Sequence, residues 1–182
     1  SRFCNRIPFD ENHRLWAPNL AGGALLDLGI YNLFYAFFLN NFEPILDFSS
    51  NVRMENNIDA WNSVNISFTN GVTTSFQSAC DMTAASSTHD AIIYGTEGFI
   101  TTENFFMAQK AQLHKFDSDW GNENKVTETI DLPFIVNGYE FEIIEATDCI
   151  LDGKIECEKY PFVQSEVLCK TMDALRASWN FQ

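Results

Sequence analysis

Residues 22–41 read GGALLDLGIYNLFYAFFLNN, apolar around nearly the whole circumference of a helix and ended by Asn40-Asn41 with Pro44 beyond. The stretch predicts a central, buried helix. Asp27 is its anomaly, because a carboxylate on a buried helix must find donors or lose its charge. At four-residue spacing Gly23, Asp27, Tyr31 and Tyr35 form one gently drifting column on the helix surface.

Upstream, residues 1–21 mix charges, Pro8, Pro18 and aromatics without a sustained period, as an irregular lead-in with one short turn would. Downstream, residues 45–135 change to alternation rich in β-branched and aromatic residues, punctuated by Asn70-Gly71, Gly95, Gly98 and Gly121. This predicts several antiparallel strands. In the hairpin around Asn70-Gly71, a three-residue loop with Gly71 left-handed puts Val64, Ile66, Phe68, Val72 and Phe76 on one face, whereas a two-residue loop separates them. From Tyr139 to Asn180 helical spacing returns in two runs, Phe141, Ile144, Ile150 and Leu151 followed by Val167, Leu168, Met172 and Leu175, with Gly153 and Pro161 between them. Helix, strands, then helices describe an α+β domain: a predominantly antiparallel open sheet with helices packed on one face.

At 182 residues the chain has the size of one globular domain, so residues 1–182 are read as a single domain. Eleven basic residues against 25 acidic ones give a net charge of −14, which disfavours nucleic acid and anionic lipid as partners. The longest apolar run, Ile30 to Leu39, is interrupted by Asn32 and too short to cross a bilayer. Cys4, Cys80, Cys149, Cys157 and Cys169 form no Cys-x-x-Cys pair and have no neighbouring histidine to complete a zinc site. They read as reduced, mostly buried thiols of a cytoplasmic protein, with no metal expected. His13, His89 and His114 read as surface or satisfied polar residues, His89 being the one able to reach a cleft.

Two accounts fit the helix. In one, Asp27 bonds local backbone amides and Tyr31 is amphipathic packing. In the other, Asp27 and Tyr31 line a cavity beside Gly22 and Gly23, where the absent side chains let a substrate approach. Tyr31 would then donate or relay a proton to a hydroxyl or carbonyl oxygen, with Asp27 accepting a hydrogen bond from the substrate or orienting its neighbour. Arg14 is either half of an ion pair or a donor to the substrate. Gly95 and Gly98 read as a tight turn between strands spanning Ile93–Ile100, not a phosphate loop.

Gly22 to Tyr31 resembles the GG-x-x-x-D-x-G-x-(H/Y) signature of Gfo/Idh/MocA oxidoreductases, closest to the trans-dihydrodiol dehydrogenase-like branch with its tyrosine at the last position. His13-Arg14-Leu15-Trp16, Tyr94 to Ile100 and Asp173-Ala174-Leu175-Arg176 resemble that family's C-terminal domain in order and spacing, so the resemblance covers essentially the whole chain. It implies substrate-site roles for Asp27, Tyr31, Gly22, Gly23 and, more weakly, Arg14. It also implies a sheet-mediated homodimer or homotetramer, an independent hint being that the Thr74, Phe76 and Cys80 face reads as too apolar for free exposure.

Family members bind NAD(P) on an N-terminal Rossmann domain carrying G-x-G-x-x-G and a Glu-Lys-Pro lysine. Neither motif occurs here; Glu158-Lys159-Tyr160-Pro161 has an inserted tyrosine and a C-terminal position, so Lys159 reads as a surface residue. The expectation is that cofactor contacts lie mainly outside this chain, that the chain alone binds no cofactor and is inactive, and that it serves an NAD(P)-dependent dehydrogenase of a sugar, polyol or dihydrodiol. The alternative is a stand-alone ligand-binding or oligomerisation module; the lack of an initiator methionine at Ser1 favours the first reading.

Overall fold

A computed structural model describes residues 1–82, 89–116 and 124–179; Gly121 and Asn180 lie outside them. The chain forms two compact units, Ser1–Asp90 with Leu168–Gln182, and Ala91–Val167.

In the first unit, β1 (Arg2–Cys4), β2 (Ile45–Glu55), β3 (Ile58–Phe68) and β4 (Thr73–Ala79) form a sheet in the order β1-β4-β3-β2. All pairings are antiparallel except β1 with β4, which is parallel. The lead-in is therefore more ordered than its sequence suggests: it supplies an edge strand and two short 3₁₀ turns, Arg14–Trp16 and Pro18–Leu20. Local propensity does not reveal β1, because its hydrogen bonds go to a strand more than 70 residues away.

The hairpin loop is Thr69–Gly71, three residues long, with the Phe68 N–H donating to the Val72 carbonyl at 2.9 Å and Gly71 at φ +87°. Val64, Ile66, Phe68 and Phe76 are buried on one face, and Val72 shares that face at its exposed end. Cys80 belongs to the same inner face, where Trp16, Ala24, Ile58, Ala60 and Cys80 pack as a buried cluster with Ile7 against it. The Thr74, Phe76 and Cys80 face is thus the core of the unit, not an open one. The opposite face carries Ser49, Asn51, Asn65, Ser75 and Gln77, with Trp61 and Ala79 at one end, so it is polar over most of its length and the apolarity of the Thr74, Phe76 and Cys80 face is no argument for pairing two sheets.

The helix of residues 22–41 begins as a π turn, Leu25–Gly29, and continues as α1 (Ile30–Leu39). Leu25, Leu28, Asn32, Leu33 and Phe37 are buried; Phe37 lies 5.6 Å from the Phe42 ring and edge-on to Phe68 at 5.4 Å. Burial is one-sided, however. Tyr31, Phe34, Phe38 and Leu39 are exposed, because a helix lying on one sheet layer covers only the side chains facing that layer. Residues 18–39 together are long and apolar enough to cross a bilayer, a test that the core helix of a folded unit also passes; half of the window is buried inside the protein.

In the second unit, β5 (Ala91–Tyr94), β6 (Gly98–Thr102), β7 (Lys110–Phe116) and β8 (Asn124–Asp131) form an antiparallel meander. The Gly95 N–H donates to the Gly98 carbonyl at 2.8 Å across the tight turn between β5 and β6. A Cβ on Gly98 would stand 2.0 Å from the His114 carbonyl oxygen, so this glycine serves strand approach and leaves no room for phosphate.

Helix α2 (Tyr139–Leu151) follows, and α3 (Phe162–Ser178) closes the fold as the spacing predicts. From Leu168 onward α3 belongs to the first unit, where it buries Leu168, Thr171, Met172 and Leu175; beyond it, Trp179 Nε1 donates to Ser50 Oγ at 2.7 Å. The cysteines divide in two. Cys4 and Cys80 are buried, and burial pushes the Cys80 thiol up to about 12, leaving it inert. Cys149 and Cys157 are half-buried and Cys169 is exposed, so most of the five are not core thiols.

Candidate functional site

The site is assembled by the Gly22-Gly23 hinge. A Cβ on Gly22 would stand 2.6 Å from the Leu15 carbonyl oxygen and 2.9 Å from those of Arg14 and Ala17, so the 3₁₀ turn carrying Arg14 is pressed against bare backbone. The Gly22 N–H donates to the Ala17 carbonyl at 3.1 Å and the Gly23 N–H to that of Leu15 at 2.9 Å. Gly23 has φ +114°, and a Cβ there would meet Asp59 Oδ1 at 2.1 Å. The space vacated at both glycines is therefore filled by the protein's own atoms, and their role visible here is positional.

The result is that Arg14 and Asp27, thirteen residues apart, form a hydrogen-bonded ion pair, the arginine side chain largely exposed and the carboxylate mostly covered (58% and 23%). Asp27 does not cap the start of the helix. That task falls to Asp59 on β3, whose Oδ2 accepts from the Leu25 N–H at 2.7 Å and from Asn62 Nδ2 at 2.8 Å. Burial pushes the Asp59 carboxyl up to about 6, with those two donors partly opposing it. No local motif connects Asp59 to Leu25; the available signal is a lone aspartate between Ile58 and Ala60 in an apolar strand start.

Tyr31 follows on the first turn of α1, two residues past the end of the π turn. In the π turn the Ile30 N–H reaches back to the Leu25 carbonyl, which alters the stagger between Asp27 and Tyr31 expected from a pure α-helix. Such local widening recurs at functional sites. Tyr31 is 44% exposed and its ring lies 5.3 Å from Phe3, which in turn lies 4.6 Å from His89, edge-on. His89 Nε2 is 2.9 Å from Asn5 Oδ1. Strand β1 and the segment after it thus join Tyr31 to an aromatic and imidazole cluster that the sequence left unassigned.

The other two histidines have local work. His13 Nδ1 accepts from the Leu15 N–H at 3.2 Å, capping the turn that carries Arg14, and His114 stacks on Phe99 with Nε2 3.1 Å from Thr101 Oγ1.

Residues 1–101 match the family model described as the GFO/IDH/MocA C-terminal domain. A D-xylose 1-dehydrogenase (NADP(+)) of Hypocrea jecorina is 29% identical over 191 residues, covering 93% of this chain and 47% of that protein. A 3-ketoreductase of Actinomadura kijaniata, solved with NADP and TDP-benzene, superposes with a TM-score of 0.75 at 19% identity, covering 97% of this chain and 51% of its own. An aldose-aldose oxidoreductase of Caulobacter crescentus, solved with glycerol, gives 0.70 at 19% identity over 98% of this chain and 50% of its own. This chain spans about half the length of these relatives. On the matched sequence and the shared α+β architecture, the chain belongs to the Gfo/Idh/MocA family, through that family's C-terminal domain.

Proposed function

We propose that this chain is the substrate-side half of an NAD(P)-dependent oxidoreductase acting on a hydroxyl of a sugar, polyol or dihydrodiol, with Asp27 and Tyr31 at the substrate. The observation that supports this most is the hinge just described, which presents an Arg14-paired carboxylate and a half-exposed tyrosine on consecutive turns. The sugar oxidoreductases among its relatives point to the substrate class.

The nicotinamide, when bound, supplies the hydride acceptor. No Gly-x-Gly-x-x-Gly cradle occurs in the sequence and the Gly95–Gly98 turn is closed by His114, so this reading assigns the cofactor's pyrophosphate to residues outside this chain. What this chain contributes is on the substrate side. Tyr31 passes a proton to or from the reacting oxygen, Asp27 accepts a hydrogen bond from the substrate, and Arg14 holds the Asp27 carboxylate in place through their ion pair. A homo-oligomer remains part of the proposal, and the polar outer face of β2, β3 and β4 would make any interface there a hydrogen-bonded one.

In the complete enzyme, Tyr31→Phe should lower turnover by about 10²–10⁴-fold while leaving NAD(P) affinity within about twofold, because a proton partner is lost and no cofactor contact is. Steady-state kinetics with direct cofactor titration decide it; unchanged turnover removes Tyr31 from the chemistry.

A further inference from the structure

Helix α2 presents a physical problem: none of its residues is buried, although Tyr139, Phe141, Ile143, Ile144, Ile150 and Leu151 are apolar. Its N-terminal end is held by Glu140, which accepts from four backbone amides. Its C-terminal half carries a different kind of anchor.

Glu145 and Cys149 are four residues apart on α2 and so share a face. After Leu151 the chain reverses through Gly153 at φ +69°, with the Lys154 N–H donating to the Cys149 carbonyl at 2.8 Å. The Cys157–Tyr160 bridge then closes a second tight turn. These reversals return Cys157 to the helix, and a carboxylate oxygen of Glu145 and the two thiol sulfurs all lie within 4.8 Å of one another. Cys157 Sγ is 3.3 Å from Glu145 Oε1, while Lys159 Nζ bonds the other oxygen, Oε2.

We infer that Glu145, Cys149 and Cys157 form a binding site for a thiophilic divalent cation, zinc being the fitting one. Zinc–sulfur bonds of about 2.3 Å place two sulfurs on a tetrahedron roughly 3.8 Å apart, within a small side-chain rotation of the arrangement found. The ligand-side oxygen and the lysine-held oxygen of Glu145 are different atoms, so Lys159 orients the carboxylate without competing for its inner oxygen, as groups behind a metal ligand commonly do. Binding converts two thiols to thiolates and releases two protons to solvent. Three anionic ligands around a dication leave one net negative charge, with Lys154 and Lys159 beside it to balance that charge. The three ligands are half-buried, and a tetrahedral ion held by three protein ligands would take water as its fourth. The site was hidden in the sequence because it contains no histidine and its cysteines are eight residues apart. The inference is independent of the proposed oxidoreductase activity.

Cobalt(II) added to the full-length, fully reduced protein should bind at one equivalent with sulfur-to-cobalt charge-transfer absorption, and zinc should displace it. Cys149→Ser and Cys157→Ser should each weaken binding at least about 10-fold and diminish that absorption, Glu145→Gln should weaken it while the absorption remains, and Cys169→Ser should change nothing. Circular dichroism checks that each variant is folded. The proposal is overturned if the unaltered protein shows no charge-transfer band, if the band survives unchanged in either cysteine variant, or if the pair forms only a disulfide on mild oxidation and takes no metal when reduced.

Discussion

Helices α1 and α2 are both rich in large apolar residues, yet they are held in opposite ways. α1 and its π turn bury Leu25, Leu28, Leu33 and Phe37 against the sheet, whereas α2 buries nothing and is tethered through Glu140 and Glu145. The difference teaches that apolar content decides only that a helix has something to bury. Whether it is held by packing or by polar tethers depends on what the rest of the chain brings alongside.

The comparison breaks first at Phe37. Phe37→Ala should cost about 3–5 kcal/mol, and Ile150→Ala, at an exposed position of α2, no more than about 0.5 kcal/mol. Urea denaturation of the two variants gives both values; comparable losses would mean that α2 is packed after all.

The two carboxyl anchors sharpen the contrast, because their acid behaviour has opposite signs. Asp59 is raised to about 6 in the folded protein from an ordinary value near 4, so its contribution to stability is present at low pH and declines as pH rises from about 4 through 6. Asp59→Asn should lose that slope, the wild type falling relative to the variant across this window and by no more above it. A pH-independent difference would show that Asp59 does not titrate there.

Glu140 behaves in reverse. Its carboxylate accepts from the N–H groups of Ile135 and Val136 through Oε1, and of Asn137 and Gly138 through Oε2, at 2.7–3.1 Å. The Val136 amide and its neighbours hold it down to about 2. Its stabilisation is present above about pH 4.5 and lost as pH falls toward 2, so Glu140→Gln should be the less stable protein at neutral pH and indistinguishable near pH 2. Hydrogen exchange at residues 135–138 reports this locally.

A small effect on stability is expected at Arg14. Its pairing with Asp27 is exposed on the arginine side, and Arg14→Ala should cost less than about 1 kcal/mol of stability. If Asp27 meets the substrate, the same change raises KM in the complete enzyme much more than it lowers the melting temperature; an effect on melting alone leaves Arg14 structural.

Much of this could be read in advance, and the reasons are local. The Thr69–Gly71 loop follows from which side chains must share a face, the β5–β6 turn from Gly95 and Gly98, and α2 and α3 from apolar spacing broken by Gly153 and Pro161. The helix of residues 22–41 was equally legible as a helix, but not its one-sided burial or its π turn. Alternation marks the Thr74, Phe76 and Cys80 face as apolar but not that the unit's own core covers it, since alternation names a buried face without naming what lies on it.

The candidate site divides in the same way. Arg14, Asp27 and Tyr31 stand out by residue type and spacing as candidates, while the family and the α+β class are what the sequence by itself determined. That Gly22 and Gly23 serve to dock a turn and a carboxyl, that Asp59 caps the helix from β3, that Phe3 stands between Tyr31 and His89, and that Glu145, Cys149 and Cys157 meet, only the tertiary structure decided. Each depends on chain reversals or on strand pairings between residues far apart, whose contacts no local period records.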